Sequence, residues 1–120
     1  MDTHSDITDE AIVREIQNGN NMQMGVLIDR YEKRLARYIA RFTNNTDTIN
    51  DLVQDVFIKS YVNIQSFDTA QKFSSWIYRI AHNESVNFLK KKKFFLLINF
   101  FKKFFTIRKL VTTPLKNHSA

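Results

Sequence analysis

Residues 51–59 read Asp-Leu-Val-Gln-Asp-Val-Phe-Ile-Lys, and the apolar residues of this stretch recur at helical spacing. The pattern predicts a helix over Asp47–Asn63, because residues three and four apart share one face of a helix. Its buried stripe is predicted to be Ile49, Leu52, Val53, Val56, Phe57 and Ser60-Tyr61. The opposite stripe mixes acid with exposed aliphatic side chains, at Asp51, Gln54, Asp55, Ile58 and Val62. Such a face is either an ordinary wet surface or a docking surface, and its pattern alone leaves both open.

Three further helices flank this one, and together they predict an all-α domain of about four helices. Their predicted ranges are Asp9–Asn18, Met22–Thr43 and Lys72–Lys93. Thr8 is the candidate N-cap of the first helix, and Gly19 supplies its C-terminal stop. Turn formers are scarce, with two Gly and one Pro in 120 residues, which favours long helices over a sheet with tight turns.

The loop over residues 64–71 precedes the fourth helix and carries one aromatic residue at its centre, Phe67. Beyond the loop, one face of the fourth helix carries mainly basic, amide and imidazole side chains. Its members are Arg79, His82, Asn83, Val86, Asn87 and Lys90. Such a row can hydrogen-bond base edges and neutralise phosphates, or it is an unremarkable polar surface. Trp76 is interpreted as a core residue because it shares helical spacing with Phe73 and Ile77, with a DNA-facing wedge as the alternative.

The net charge of +6 is unevenly distributed along the chain. Residues 1–87 hold all 12 acidic residues against nine Lys and Arg, whereas residues 88–120 hold nine Lys and Arg and no acid. A charge step of this kind indicates an end that faces phosphates or anionic lipid. The sequence has no Cys, no Gly-rich phosphate loop and no ligand-like spacing of its three His, so we expect no metal, no cofactor and no catalytic residues, hence no enzyme. The acidic, polar N-terminus is not a secretory signal, and a cytoplasmic protein is expected.

The composition changes after Lys93, where residues 94–105 hold six of the eleven Phe. A polar stripe recurs at helical spacing within this segment, at Asn99, Lys102, Lys103, Thr106 and Lys109. We therefore predict a domain of residues 1–93 followed by an additional C-terminal helical tail of residues 94–120. The apolar stretch of this tail is too short to span a bilayer, because Lys102 and Lys103 interrupt it. It either binds a membrane surface or a protein partner, or it folds back on a hydrophobic groove of the same domain.

Three ordered blocks of the chain resemble region 2 of bacterial sigma factors, with the extracytoplasmic-function (ECF) group of the sigma-70 family as the most similar branch. The blocks are Leu27–Tyr31, Asp51–Lys59 and Lys72–Asn83, and the match extends from about Thr8 to Lys93. The resemblance implies an all-α domain that binds core RNA polymerase and opens promoter DNA in transcription initiation. A typical member carries a second helix-turn-helix domain, and we expect none in residues 94–120, which are too few to form one.

The resemblance also implies roles for individual residues. In that family the helix equivalent to residues 47–63 docks on the clamp helices of the polymerase's largest subunit, which assigns polymerase binding to Asp51, Gln54, Asp55 and Ile58. The family's loop and following helix capture the non-template strand of the minus-ten element, with one base flipped from the stack. This assigns DNA binding to Phe67, Asp68, Arg79, Asn83, Asn87, Lys90 and Lys91. Phe67 would be the wall and stacking group of the base pocket. An anti-sigma factor is a further partner that the family implies.

Two other functions compete with this interpretation. The first is a membrane-surface or partner-binding module centred on Phe94–Leu110, which can coexist with the sigma-like role as a membrane-tethered transcription factor. The second is a regulator that binds double-stranded DNA independently of polymerase. The excess of acid over base in residues 1–87 opposes the second function, because proteins that bind DNA alone usually carry a broad basic face.

Overall fold

Four α-helices form close to the predicted ranges. The computed structural model describes residues 7–118, with side chains as far as Val111. The helices are α1 (Asp9–Gln17), α2 (Met24–Ile39), α3 (Thr46–Val62) and α4 (Phe73–His118), with short 3-10 helices at Asn21–Gln23 and Ile64–Ser66. No strand occurs within residues 7–118, and the predicted all-α fold is confirmed. α4 covers the predicted fourth helix from Phe73 onward and the predicted helical tail as far as His118, and residues 119–120 of that tail lie outside the described residues.

Side-chain caps and one glycine fix the ends of the first and third helices. The Thr8 Oγ1 accepts a hydrogen bond from the Ala11 N–H at 3.1 Å, so the predicted N-cap of α1 is confirmed. Gly19 follows α1 with a φ of 104°, a left-handed conformation that favours glycine, and it ends the helix as predicted. At α3, the Asn45 Oδ1 accepts from the Thr48 N–H at 3.0 Å, which explains the start of that helix directly after the two asparagines.

The second helix is shorter than the predicted range of Met22–Thr43 at both ends. At its start, Asn21–Gln23 is a separate 3-10 helix. At its end, Arg41 and Phe42 donate their N–H groups to carbonyls three residues earlier, at 3.1 and 2.9 Å. These tighter bonds end the α-helix, although the side chains continue the apolar spacing. The prediction was wrong here because side-chain periodicity does not distinguish an α-helical turn from a 3-10 turn.

The chain divides into two compact units, Met1–Val86 and Asn87–Ala120. The core of the first unit is apolar and includes side chains from each of the four helices: Ile12, Val13, Ile16, Leu27, Leu35, Ile39, Val56, Phe73, Ile77 and Ala81. Burying a large aliphatic or aromatic side chain stabilises a fold by about 1.5–3 kcal/mol. The predicted domain boundary at Lys93 stays a prediction.

Polar contacts from α1 tie it to α2 at the edge of this core. Asp9 accepts a hydrogen bond from the Tyr31 hydroxyl, and its other oxygen pairs with the Arg30 Nη1 at 2.8 Å. Burial raises the pKa of the Tyr31 hydroxyl well above its usual range, and the Asp9 carboxylate raises it further. The Tyr31 ring packs edge-on against Phe73 of α4 at a centroid distance of 5.5 Å. One tyrosine thus joins three helices.

Candidate binding surfaces

A groove of about 700 Å³ opens between α2 and α3. Its lining combines apolar side chains with a few polar ones: Met24, Ile28, Glu32, Lys33, Ala36, Asn50, Val53, Gln54, Phe57, Ile58, Tyr61 and Val62. Ile58 and Val62 leave 52% and 71% of their surface exposed, which makes the rim of the groove unusually apolar for a solvent-facing surface. The groove is therefore an apolar surface for a partner of matching shape. We call it the α2–α3 groove.

The residues predicted to bind polymerase lie in or beside this groove. Gln54 and Ile58 line it, and Asp51 and Asp55 are exposed on α3. Each aspartate precedes a lining residue by three positions, so its carboxylate neighbours the groove on the helix surface. The groove is therefore mostly apolar, with one acidic and one basic side chain in its lining and two exposed aspartates beside it on α3. The role of these four residues stays a prediction.

Two features of the groove were not predicted. Tyr61 was placed in the buried stripe of the third helix, but 41% of its surface is exposed and its ring lines the groove. Ser60, the residue before it, is fully buried, so the core side of the last turn of α3 passes through Ser60 and leaves Tyr61 on the side of the groove. The α2 half of the groove, with Ile28 and Ala36, was also missed, because both residues fit the apolar stripe of α2 and sequence spacing does not reveal half-burial.

The loop between α3 and α4 is held in place by α1. The Gln17 Nε2 donates hydrogen bonds to the carbonyls of Ile64 and Phe67, at 2.8 and 2.9 Å. The Glu10 Oε2 accepts from the Phe73 N–H at 2.9 Å, which caps the first turn of α4. Within the loop, the Asp68 Oδ1 accepts from the Ala70 N–H at 2.9 Å and shapes a turn. Hydrogen bonds from α1 therefore hold the loop that forms one side of the pocket described next.

This loop pocket has a volume of about 470 Å³. Its lining residues are Ser66, Phe67, Asp68, Gln71, Lys72, Ser75, Trp76 and Arg79. Phe67 is only 7% exposed and packs against Trp76 and Phe73, with ring centroids 4.9 and 5.8 Å away. Trp76 is half-buried, so it both packs in the core and faces the pocket. The pocket thus has an aromatic floor with two cations, Lys72 and Arg79, in its lining.

The residues predicted to bind DNA fall into three places. Phe67, Asp68 and Arg79 are brought together at the loop pocket. Asn83 is exposed farther along α4, still within the first unit. The remaining three belong to the second unit, where they are exposed: Asn87, Lys90 and Lys91. Their part in DNA binding stays a prediction.

A third cleft, of about 430 Å³, lies between α2 and α4 and was not predicted from the sequence. Its lining residues are Arg34, Arg37, Tyr38, Arg41 and Tyr78. The arginines can be located in the sequence, but their position next to Tyr78 depends on how α2 and α4 pack against each other. The Tyr38 hydroxyl lies 2.7 Å from the Nδ1 of His82, one of the polar residues predicted on the face of α4. We call this site the arginine–tyrosine cleft.

From Phe94 to Val111, the second unit exposes a run of large apolar side chains. Their exposed fractions range from 46% at Leu97 to 72% at Leu110. The members are Phe94, Phe95, Leu96, Leu97, Phe100, Phe101, Phe104, Phe105, Ile107, Leu110 and Val111. Of the helices within residues 7–118, none is long and apolar enough to cross a membrane. Both alternatives for this tail, binding to a membrane surface or a protein partner and fold-back on a groove, stay predictions.

Comparison with known proteins finds a family model that covers more than half of the chain. Residues 27–95 match the family model of sigma-70 region 2. The ECF RNA polymerase sigma-E factor of Haemophilus influenzae is 39% identical over 83 residues, which cover 69% of this chain and 43% of the relative. The ECF RNA polymerase sigma factor SigW of Bacillus subtilis is 35% identical over 81 residues, with 68% and 43% covered. The chain therefore spans less than half the length of these curated relatives.

Two solved structures are similar in fold. An engineered region 2 of sigmaE, in an NMR structure of its complex with GTAAAA, matches with a TM-score of 0.70 and 35% identity, over 78% of this chain and 95% of that one. CnrH, in its complex with the cytosolic domain of CnrY, matches with a TM-score of 0.63 and 26% identity, over 66% of this chain and 51% of that one.

Proposed function

We propose that this chain, which belongs to the ECF branch of the sigma-70 region 2 family, docks on core RNA polymerase and captures a single strand of the promoter minus-ten element. The observation that carries the proposal is the loop pocket, because a wall of aromatic rings beside cations suits a flipped base and its phosphate. The role is binding rather than catalysis. Its partners, polymerase and DNA, imply that the protein works in the cytoplasm.

The α2–α3 groove is the proposed docking site for the polymerase. An apolar channel accepts the apolar face of a partner helix, and carboxylates beside it favour a partner that carries basic side chains. Asp51 and Asp55 would supply that charge, while Gln54 and Ile58 would touch the partner within the groove. The clamp helices of the largest polymerase subunit are the proposed partner. An anti-sigma protein is a further proposed partner, supported by the complex of CnrH with the cytosolic domain of CnrY.

Fluorescence anisotropy with bacterial core RNA polymerase tests the docking site. The double variant Asp51→Lys/Asp55→Lys should bind at least about tenfold more weakly than the wild type, because two favourable charges become repulsive. The matched control Glu15→Lys/Asp29→Lys reverses two exposed charges elsewhere in the first unit and should bind normally. Equal binding by the wild type and the Asp51/Asp55 variant would show that the docking face has been misplaced.

Binding of a GTAAAA hexamer tests strand capture. Trp76 is the single tryptophan of the chain and lines the loop pocket, so stacking of a base there should change its fluorescence. The variant Lys72→Gln/Arg79→Gln should weaken binding and make it less dependent on salt, because each phosphate that is no longer neutralised lowers the logarithmic slope by about 0.7. A thymidine hexamer carries the same phosphates without the adenines and should bind more weakly. Equal affinity for both hexamers would exclude base capture.

The exposed apolar side chains of the second unit favour a second candidate function, contact with an anionic lipid surface. The stripe of Asn99, Lys102, Lys103 and Thr106 follows one side of the helix, and phenylalanines dominate the remainder. An interfacial helix uses this arrangement, because lysine stems reach toward headgroups while aromatic rings enter the acyl boundary. The absence of acid from residues 88–120 removes repulsion from anionic lipid and disfavours pairing with a second, equally cationic tail.

Liposome co-sedimentation of the full chain tests the lipid contact. Vesicles rich in phosphatidylglycerol should retain the protein, and pure phosphatidylcholine vesicles should not. The variants Lys102→Glu/Lys103→Glu and Phe100→Ser/Phe104→Ser should each reduce retention, the first through charge and the second through apolar area. Equal behaviour of both vesicle types, or a concentration-dependent dimer without vesicle binding, would rule the contact out.

A further inference from the structure

One side of the tail helix has the residue spacing of a segment that docks in a groove. Positions i, i+3, i+4 and i+7 on this side are all large and apolar: Leu97, Phe100, Phe101 and Phe104. Between 46% and 61% of the surface of each residue is exposed. An amphipathic helix that lies in an apolar groove inserts residues at this spacing. We call these four residues the tail face.

The α2–α3 groove matches the tail face in length and in chemistry. Its lining on α3 extends from Asn50 to Val62, which corresponds to about 18 Å along the helix axis. The tail from Lys93 to Phe104 is about 17 Å long at the same rise per residue. The groove also exposes the apolar side chains of Ile58 and Val62, and contact between two exposed apolar surfaces removes both from water. The groove is thus long enough to hold the whole tail face.

The charge of the chain is divided between the parts that carry these two surfaces. Residues 1–87 hold 12 acidic residues against nine Lys and Arg, whereas residues 88–120 hold nine Lys and Arg and no acid. The groove belongs to the acidic part and the tail face to the basic part. Opposite net charges raise the rate of encounter and favour association of the matching surfaces. The chain therefore carries both a groove and a helix of the charge and apolar spacing that suit it.

Individual charges lie where this contact needs them. Asp51 and Asp55 are exposed beside the groove on α3. Lys93 and Lys103 are exposed on the tail helix, four residues before one member of the tail face and three residues after another. Residues at these spacings are neighbours on a helix, and lysine stems are long enough to reach past an apolar contact. Two lysines at the border of the tail face can therefore pair with two aspartates at the border of the groove.

A second copy of the chain is better suited than the same chain to supply the helix. Residues 88–93, directly before the tail, contain no Gly, Pro, Asn, Asp or Ser, which are the residues that favour turns. They are Phe, Leu and four Lys, and Leu and Lys favour a helix. A tight return of the chain onto its own groove is therefore disfavoured. Two copies that each donate a tail and each offer a groove form a closed dimer with two equivalent contacts.

We propose that the tail of one copy, through residues 93–104, docks in the α2–α3 groove of a second copy, and that this exchange is reciprocal. The tail face fills the apolar part of the groove, and Lys93 and Lys103 pair with the aspartates beside it. One consequence rests on the function proposed above: because the groove is the proposed docking site for polymerase, the dimer is a resting state that excludes polymerase. The tail face cannot contact lipid and groove at once, so the dimer is the state of the protein away from membranes.

Sedimentation velocity of the full chain without lipid tests the exchange. The wild type should show a monomer–dimer equilibrium that shifts toward the monomer as the salt concentration rises. Ile58→Asp/Val62→Asp in the groove and Phe100→Ser/Phe104→Ser in the tail should each raise the dimer dissociation constant at least about tenfold. All four side chains are exposed, so the substitutions leave the core of the first unit intact. Circular dichroism should show the same helix content for all variants.

A mixture of the two variants identifies which surfaces meet. The tail variant keeps an intact groove, and the groove variant keeps an intact tail. An equimolar mixture should therefore form a heterodimer through one contact, although neither variant dimerises alone. This heterodimer should be weaker than the wild-type dimer, because the second contact of the wild type is intramolecular once the first has formed. A dimer in which two tail faces pack against each other would persist in the groove variant and gain nothing from mixing, which would overturn the exchange.

Matched controls remove exposed apolar side chains outside the two surfaces. Met22→Asp changes a residue that is 87% exposed and does not line the groove. Phe95→Ser changes a residue that is 64% exposed and shares the polar side of the tail with Asn99 and Lys102, four and seven residues later. Both variants should keep the wild-type dissociation constant. Loss of the dimer in either one would show that apolar exposure in general, rather than the proposed contact, drives association.

A charge swap tests the ionic part of the contact. Asp51→Lys/Asp55→Lys and Lys93→Asp/Lys103→Asp should each weaken the dimer, because each places like charges on both sides of the contact. The quadruple variant that combines them restores opposite charges and should dimerise more tightly than either double variant. If the quadruple variant is weaker than both, these residues do not face one another and the proposed pairing is overturned.

Anisotropy with core RNA polymerase separates this proposal from the proposed docking function. Phe100→Ser/Phe104→Ser should bind polymerase more tightly than the wild type at concentrations where the wild type is dimeric. If the dimer requires both surfaces and this variant gains no affinity, the exchange stands and the assignment of polymerase to the groove fails. If the wild type is monomeric, or the groove variant dimerises normally, the exchange is overturned while polymerase docking survives. A monomer whose tail binds only anionic vesicles would identify lipid as the partner of the tail face and also overturn the exchange.

Discussion

Tyr31 links the stability of the fold to pH through a single hydroxyl. Burial and the Asp9 carboxylate raise the pKa of this hydroxyl far above the usual tyrosine value of 10.0. In the unfolded chain the hydroxyl ionises near pH 10, whereas in the folded chain it stays protonated. The stability that follows is fully present below about pH 10 and is lost as the pH rises above it, because the unfolded state gains from ionisation and the folded state does not.

Tyr31→Phe should therefore make the protein less stable at neutral pH and less sensitive to alkali. The loss of a hydrogen bond to a charged acceptor should cost about 1.5–3 kcal/mol at pH 7. Above about pH 10, the free energy of unfolding should fall less steeply for the variant than for the wild type. Urea unfolding at a series of pH values measures both quantities, with exposed Tyr61→Phe as the matched control. Parallel curves for the wild type and Tyr31→Phe would contradict the assignment.

At the scale of elements, α1 is the shortest α-helix, but its polar side chains bind several other parts of the first unit. Four of its side chains reach distant segments: Asp9 binds α2, Glu10 caps α4, and Arg14 and Gln17 bind the loop between α3 and α4. The Gln17 amide supplies two hydrogen bonds to carbonyls 47 and 50 residues away in the chain. The shape of the loop pocket therefore depends on a helix that does not line it.

Gln17→Ala should loosen the loop pocket without disturbing the α2–α3 groove. Two partly buried carbonyls are left without their donor, which should cost about 1–3 kcal/mol of stability. Affinity for the GTAAAA hexamer should fall, and affinity for core polymerase should not. Urea unfolding and hexamer anisotropy measure the effects, and Gln65→Ala, an exposed glutamine of the same loop region, is the control. Wild-type hexamer affinity in Gln17→Ala would show that the loop keeps its shape unaided.

The helices themselves were largely predictable from the sequence, whereas the contacts between them were not. Thr8, Gly19 and the two faces of α3 were visible because caps and helical spacing act within a few residues. The exposure of Tyr61, the α2 half of the groove and the place of Tyr78 opposite the arginines depend on how helices distant in sequence pack together. A periodic pattern reports which side of a helix is apolar, and it does not report what faces that side across the core.

At the scale of the whole molecule, the first unit separates its two proposed tasks. The α2–α3 groove and the loop pocket share no lining residue. Two exposed aspartates lie beside the groove, whose lining holds one acid and one cation, whereas the lining of the loop pocket holds two cations and one acid. A polymerase surface with basic groups is therefore attracted to one site, and a nucleic-acid strand to the other. Sites that share no partners usually respond to substitution independently.

Combining substitutions at both sites tests this independence. Asp51→Lys/Asp55→Lys should weaken polymerase binding by at least about tenfold and change the hexamer affinity by less than about twofold. Lys72→Gln/Arg79→Gln should weaken hexamer binding by at least about tenfold and change the polymerase affinity by less than about twofold. In the quadruple variant, each binding free energy should equal that of the corresponding double variant within about 0.5 kcal/mol. If either pair of substitutions weakened both polymerase binding and hexamer binding while the helix content stayed unchanged, the two surfaces would be coupled through the fold. Occupation of the groove would then change the affinity of the loop pocket for the strand.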